Sequence, residues 1–305
     1  MTRRGALLYA VLAIAWGVPY LFIKIAVEEL DPTFVVFARC ALGAVVLLPL
    51  ALARKQVLPV LRRWRPLLVF TLFELVLAQF FLTTAETRLP SSTAGLLLAA
   101  VPLVALVVVF FFGRPERLSA GNWLGIVLGM AGVAAIVGLD VGGSNLLAVA
   151  QVGVVAVSYA VGPAIMARWL SDLPGVGVVA VSLGITGLVF VPVVTAFGGW
   201  PTEVPSAAAI WSIVGLAVLC SALAFVVMFT LVAEIGPVRM STITYVNPAI
   251  AVLAGALVLG ERITVWTVVG FALVLAGSYL VTRKAAARAT VPIDESVAAP
   301  GRLAG

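Results

Sequence analysis

From Gly5 to about Val281 the chain is a nearly unbroken succession of apolar stretches, separated by a few polar, glycine or proline residues. Of its 305 residues, 63% are hydrophobic and 10% charged, at a mean hydropathy of +1.20. Soluble domains carry about 25% charged residues. No water-soluble core hides this much apolar surface, and a single anchoring span does not account for it. A polytopic membrane protein is the class that remains.

A membrane core of about 30 Å needs roughly 20 apolar residues per helix. Ten stretches qualify: 5–26, 33–53, 66–84, 92–112, 121–139, 146–167, 176–197, 207–231, 238–259 and 265–281. The apolar/polar alternation of a porin strand is absent, so these are helices. The expected fold is an all-α membrane protein with ten transmembrane helices.

The net charge of +6 is sorted by loop rather than gathered into a nucleic-acid patch. With an internal N-terminus, 15 of the 19 Lys and Arg fall in cytoplasmic segments. Only Arg88 and Arg262 are external, with Lys24 and Arg39 inside helices. The excess of inside charge puts both termini in the cytoplasm. The first apolar run holds Trp16, Pro19 and Lys24 and leads directly into further spans, so it is read as a retained helix, not a cleaved signal. Histidine is absent, and Cys40 and Cys220 fall within spans. No metal, cofactor or disulfide is expected.

One pattern occurs twice, 145 residues apart. Glu116-Arg117-Leu118-Ser119 is followed by Gly125 and Ala131-Gly132; Glu261-Arg262-Ile263-Thr264 is followed by Gly270 and Ala276-Gly277. Each copy follows an intramembrane proline, Pro102 or Pro248. A fainter echo pairs Pro19 and Lys24 with Pro163 and Arg168. Duplication in a membrane chain most often marks a transporter. Five spans per half is an odd number, so the halves enter the membrane from opposite sides as inverted repeats. The expected division is 1–142, 143–284 and a disordered cytoplasmic tail, 285–305, rich in Ala, Pro and charge.

Trp16-Gly17, Lys24 and Arg39, with the paired Pro…Glu-Arg…Gly pattern, resemble the drug/metabolite transporter superfamily, specifically its EamA-type ten-helix exporters. The resemblance covers about residues 5–282. It implies a central cavity lined by helices 1, 3, 4, 6, 8 and 9, open alternately to either side, and secondary transport of amino acids, other metabolites or drugs. No P-loop is present, so the chain shows no ATP engine of its own.

Glu74 is the acid read as lying well inside a span, roughly 12 Å deep at 1.5 Å per residue. A carboxylate there costs a few kcal/mol unless it is paired, hydrated or protonated. It can exchange a proton, grip an ammonium, or be satisfied by neighbours with no transport role. Lys24 and Arg39 suit a substrate carboxylate, but helix-break carbonyls are the favoured partners. Trp16 and Tyr20 share one helix face; Gln151 and Ser158, with Tyr159 alongside, form another; Ser241, Thr244 and Tyr245 a third, beside Asn247. These, with Glu74 and Gln79, are the candidate cavity lining, although hydroxyls and amides also serve as interhelical glue. Gln79 stands about 140° around a regular helix from Glu74. Pro19, Pro102, Pro163 and Pro248 are the candidate helix breaks. Gly121, Gly125 and Gly129 are expected to pack helices within the monomer, and Glu116 and Glu261 to cap the helix that follows each.

The reading is a secondary transporter in the inner membrane, exporting amino acids or related amphipathic metabolites, with protons as a candidate coupling ion and the monomer as the unit. A sugar-phosphate exchanger, a lipid flippase and a membrane-bound transferase are the alternatives. The first wants clustered intramembrane cations, the last a catalytic constellation, and neither is evident.

Overall fold

The computed structural model describes residues 2–112, 120–137, 145–240 and 242–289. Among the described residues, eight helical segments are long and apolar enough to cross a membrane: α1 (Arg3–Val27), α2 (Pro32–Ala53), α3 (Trp64–Glu86), α4 (Ser91–Val108), α6 (Leu146–Trp169), α7 (Gly175–Ala196), α8 (Ala207–Ile235) and α10 (Val265–Thr282). Two shorter apolar helices, α5 (Ala120–Ala135) and α9 (Ile243–Leu259), occupy the places of the expected fifth and ninth spans. The ninth starts late because Pro237–Met240 forms a separate turn of helix. The last helix runs on to Ala289, past the start of the expected tail.

Proline shapes several rods. Pro19 cannot donate into the preceding turn, and α1 breaks into Arg3–Gly17 and Pro19–Val27. Pro102 stands just after the break between Ser91–Leu98 and Val101–Phe112 in α4. Pro163 and Pro248 stay inside continuous helices, which must then leave a carbonyl one turn back without its usual donor. Two helices also carry wide turns: α3 is π-helical over Leu72–Leu77 and α8 over Gly215–Leu223. Moving 72–77 by the 145-residue offset gives 217–222, inside the second wide turn.

The two most extensive helix contacts are α5 with α10 and α2 with α7. The first explains the duplicated glycines. A methyl group on Gly125 would sit 2.7 Å from the Gly277 carbonyl oxygen, and one on Gly132 2.6 Å from that of Gly270. The reverse substitutions meet the same backbones, at 2.5 Å for Gly277 and 2.8 Å for Gly270. Early glycine meets late glycine, so the two helices run antiparallel, in van der Waals contact along their main chains. Lipid is as apolar as leucine, so such close packing supplies the association that the hydrophobic effect supplies in water. Leu188, Leu257 and Trp211 on the outside face the lipid. Of Gly121, Gly125 and Gly129, the last two pack within the chain: Gly125 meets α10 and Gly129 meets Leu103.

The charged corner differs from expectation. Gly260 adopts a left-handed conformation (φ 65°) that ends α9 and turns the chain. Glu261 then accepts from Ser91 N (2.7 Å), Ser91 Oγ (2.9 Å) and Ser92 N (2.9 Å). It caps the start of α4 in the other half rather than the helix that follows it. The start of α10 is served instead by Thr264 Oγ1, which accepts from Thr267 N at 3.1 Å. An anion at a helix N-terminus also opposes the dipole there. Glu116, its counterpart, lies outside the described residues.

On the same face Glu29 accepts from Ser206 N (2.8 Å) and Ser206 Oγ (2.5 Å), tying the end of α1 to the start of α8. These bonds hold the Glu29 carboxyl below the usual carboxylate range. A depressed value in the folded state means the clasp stabilises above the ordinary carboxylate pKa and is lost as pH falls through the lowered one. Thermal unfolding of the detergent-solubilised protein is expected to show an acid-side loss of stability that is smaller in Glu29→Gln. Equal acid sensitivity in both proteins would remove this clasp as a contributor.

Candidate functional site

Helices α3 and α6 are tied antiparallel at both ends. Arg63 Nη1 donates to the Trp169 carbonyl at 3.0 Å, and Asn145 Nδ2 to the Arg88 carbonyl at 3.3 Å. Buried polar residues on these helices are Thr71, Gln79, Thr83 and Glu86 of α3 and Ser158 of α6. Glu74, in the π-helical stretch of α3, presses its carboxyl against Gly162 of α6: a methyl group there would stand 2.0 Å from Glu74 Oε2. Gly162 precedes Pro163, whose missing N–H leaves the Tyr159 carbonyl without its helical donor. Tyr159 itself is within electrostatic range of Glu74, Arg39 and Glu86.

Arg39 of α2 is buried and donates to Gln79 Oε1 (2.5 Å) and, more weakly, to Ser221 Oγ (3.4 Å). Ser221 belongs to the wide turn of α8, and Gln79 follows the wide turn of α3 by two residues, so Arg39 links the two helices close to these turns. A regular helix would hold Glu74 and Gln79 about 140° apart. The i→i+5 bonding of the wide turn, which holds Glu74, narrows that angle. Lys24 Nζ donates to the Glu86 carbonyl at 2.9 Å, closing the C-terminal end of α3. Lys24 is therefore engaged with a helix end and Arg39 with a side-chain amide and a hydroxyl.

Glu86 was not among the expected site residues, because the third span was expected to end at 84. The helix continues to Glu86, whose side chain is fully buried with both carboxyl oxygens unpaired. A signal existed: Gln79, Thr83 and Glu86 fall at i, i+4 and i+7, one polar stripe on one face. Among the described residues, the buried side-chain polar atoms left without a partner also include Glu74 Oε2, Thr83 Oγ1, Gln151 Oε1 and Asn247 Oδ1. All are oxygens, and no nitrogen is among them. Unfilled buried acceptors are costly, about 1–3 kcal/mol each.

The remaining expected residues divide between the α3–α6 seam and its surroundings. Tyr20 is half-buried, within range of Tyr159 and Glu86, and packs over Gly95 of α4. Ser158 is buried on α6. Trp16 meets Phe225 edge to face, centroids 6.0 Å apart, at the contact of α1 with α8. Asn247 lies where Gly17 approaches α9: a methyl on Gly17 would stand 3.3 Å from the Asn247 carbonyl. Tyr245 turns toward α10, its hydroxyl 2.5 Å from Thr282 Oγ1 and 3.3 Å from the Ser278 carbonyl. Thr244 is exposed, and Ser241 lies outside the described residues.

A pocket of about 300 Å³, lined by Lys24, Glu28, Arg88 and Glu261 among others, opens at the α1–α4–α9 end of the bundle. A second, of about 380 Å³, lies at the opposite end beside Lys55 and Arg62.

The family model described as "EamA-like transporter family" matches the chain twice, over residues 3–138 and 146–283. The "Uncharacterized transporter YvbV" of Bacillus subtilis is 29% identical over 307 residues, covering 97% of each chain. The "Uncharacterized inner membrane transporter YedA" of Escherichia coli is 30% identical over 285 residues, covering 90% of this chain and 91% of its own. A solved structure titled "Crystal structure of protein" superposes with a TM-score of 0.66 at 20% identity, over 95% of this chain and 100% of its own. At that identity the likeness concerns the fold alone.

Proposed function

Because this multi-pass membrane chain belongs to the EamA-like transporter family, we propose that it exports an amine-bearing metabolite, an amino acid or related amphipathic compound, across the inner membrane by alternating access. The observation that carries the substrate class is the group of unpaired buried oxygens on α3 and α6: Glu74 Oε2, Thr83 Oγ1, both Glu86 carboxyl oxygens and Gln151 Oε1. Such a site is rich in acceptors, and a solute ammonium supplies three donors. Glu74 is the group that takes it, with the Tyr159 carbonyl beside it; Tyr20, Tyr159 and Trp16 offer apolar faces to the rest of the solute. A sugar phosphate would bring more acceptors, and its charge would need cations, yet Lys24 and Arg39 are engaged elsewhere. A transferase reading finds no catalytic grouping along the seam.

Ten membrane helices in two inverted five-helix repeats, 1–142 and 143–284, are part of this proposal. Three observations support it. The two family matches each cover one half. The reciprocal contacts Gly125–Gly277 and Gly132–Gly270 are those of a two-fold axis, where i meets j and j meets i. The paired wide turns of α3 and α8 occupy equivalent places. Charge sorting supports an orientation with both termini inside and the Glu261–Ser91 cap outside. Cysteine at Val57 is then expected to be shielded from an impermeant thiol reagent in intact cells, and cysteine at Glu203 to react, in a background lacking Cys40 and Cys220. The opposite labelling pattern would invert the orientation.

Purified protein in liposomes is expected to exchange an amino acid without ATP in a counterflow screen that also includes sugar phosphates, nucleobases and a fluorescent lipid. Movement of sugar phosphate or lipid, with none across the amino-acid panel, would reject the substrate class.

A further inference from the structure

Glu86 is a buried acid that the proposed ammonium contact does not use. It stands 12 residues from Glu74 on the same helix, roughly 18 Å along the axis. We propose that Glu86 is the proton-carrying residue of this transporter, releasing its proton when the Lys24 face of the bundle opens; this rests on the transporter reading above.

The surroundings carry the argument. Within electrostatic range of Glu86 are Lys24 and Tyr20 of α1, Arg39 of α2, Tyr159 of α6, and Glu261 at the capped start of α4. The two cations are committed. Lys24 Nζ lies on the backbone carbonyl of Glu86, not on its carboxyl, and Arg39 holds Gln79 and Ser221. Glu261 is itself an acid, fixed on Ser91 and Ser92. An ionised carboxylate at Glu86 would thus be enclosed, unpaired and beside a second carboxylate, which a membrane interior tolerates poorly. The neutral acid fits the closed arrangement.

Opening has a short route. Lys24 forms part of the wall of the 300 Å³ pocket, with Glu28, Arg88 and Glu261. If its ammonium leaves the Glu86 carbonyl, it can turn to the carboxyl of the same residue. The carboxyl O–H bond then breaks, the proton passes to water in the pocket, and the carboxylate is left paired with Lys24. Reprotonation frees Lys24 to close the end of α3 again. Solute binding at Glu74 and proton exchange at Glu86 are separate sites, coupled through the helix that bears both.

Two readouts test this on the full chain in liposomes. Acid-minus-alkaline infrared difference spectra should show a protonated-carboxyl stretch that Glu86→Gln diminishes and Glu74→Gln leaves at that frequency. Glu86→Asp, which keeps the acid, should shift the band and serves if the amide variant fails to fold. With labelled phenylalanine as probe, Glu86→Gln should retain equilibrium exchange but lose accumulation driven by a pH gradient. An infrared band untouched by either Glu86 variant, or gradient-driven accumulation that survives in Glu86→Gln, would overturn the assignment. If the unaltered protein moves no phenylalanine, the amino-acid reading loses support while the infrared result still decides Glu86.

Discussion

Leucine in place of Gly132 is expected to leave little correctly folded protein in the membrane. The first added carbon would already stand 2.6 Å from the Gly270 carbonyl oxygen and 2.8 Å from Val274 N. Both are backbone atoms in the middle of a helix, so neither can turn aside as a side chain would. Relief requires α5 and α10 to separate along the most extensive contact in the molecule. Overpacking against yielding side chains costs about 1–3 kcal/mol; against two main chains the cost is expected to exceed that range. Net stabilities are only about 5–15 kcal/mol. Gly270→Leu should fail likewise, since it meets Gly132 O at 2.8 Å and Ile136 at 2.5 Å. Gly153→Leu is the control, because nothing stands within 4 Å of its new carbon. Size-exclusion of fluorescent fusions reads the outcome: a monodisperse Gly132→Leu at normal yield would show that the two helices are not held by this contact.

That interface was legible as a pattern before it was legible as a contact. The repeat of Gly125 and Gly132 as Gly270 and Gly277 marked the positions, but nothing in one sequence says that early glycine meets late glycine across the halves. Spans and helix breaks were legible because apolar length and proline act locally. Glu261 was recognisable as a cap, yet its partner, α4, is 170 residues away in the chain, and only the left-handed turn at Gly260 aims it there. The wide turns were illegible for a similar reason: LFELVL and GLAVLCSAL contain nothing that forbids an ordinary helix. Their effect on the site is large, because periodicity computed at 3.6 residues per turn separates Glu74 from Gln79. Glu86 escaped because a charged residue near a predicted span end reads as loop. Its burial depends on Lys24, from another helix, closing the carbonyl end above it.

Glu74→Gln is expected to remove most transport of an amine-bearing solute while leaving the fold intact. The amide matches the carboxyl in volume, so its fit beside Gly162 is kept, and it requires no counter-charge. What it loses is the charge-assisted bond to an ammonium. Hydrogen bonds to charged groups contribute about 1.5–3 kcal/mol, which corresponds to roughly ten- to hundredfold in affinity. Gly162→Ala approaches the same site from the opposite wall. Its methyl group would stand 2.0 Å from Glu74 Oε2 and 3.1 Å from Cδ, so the carboxyl must leave its present place. The helix itself should accept alanine, a better helix former than glycine. Loss of affinity is therefore expected in both variants, with monodisperse protein in each, and a neutral solute lacking the amine should be little affected by Glu74→Gln. Undiminished affinity for the amino acid in both variants would remove Glu74 from the binding site and leave it a structural acid of the α3–α6 seam.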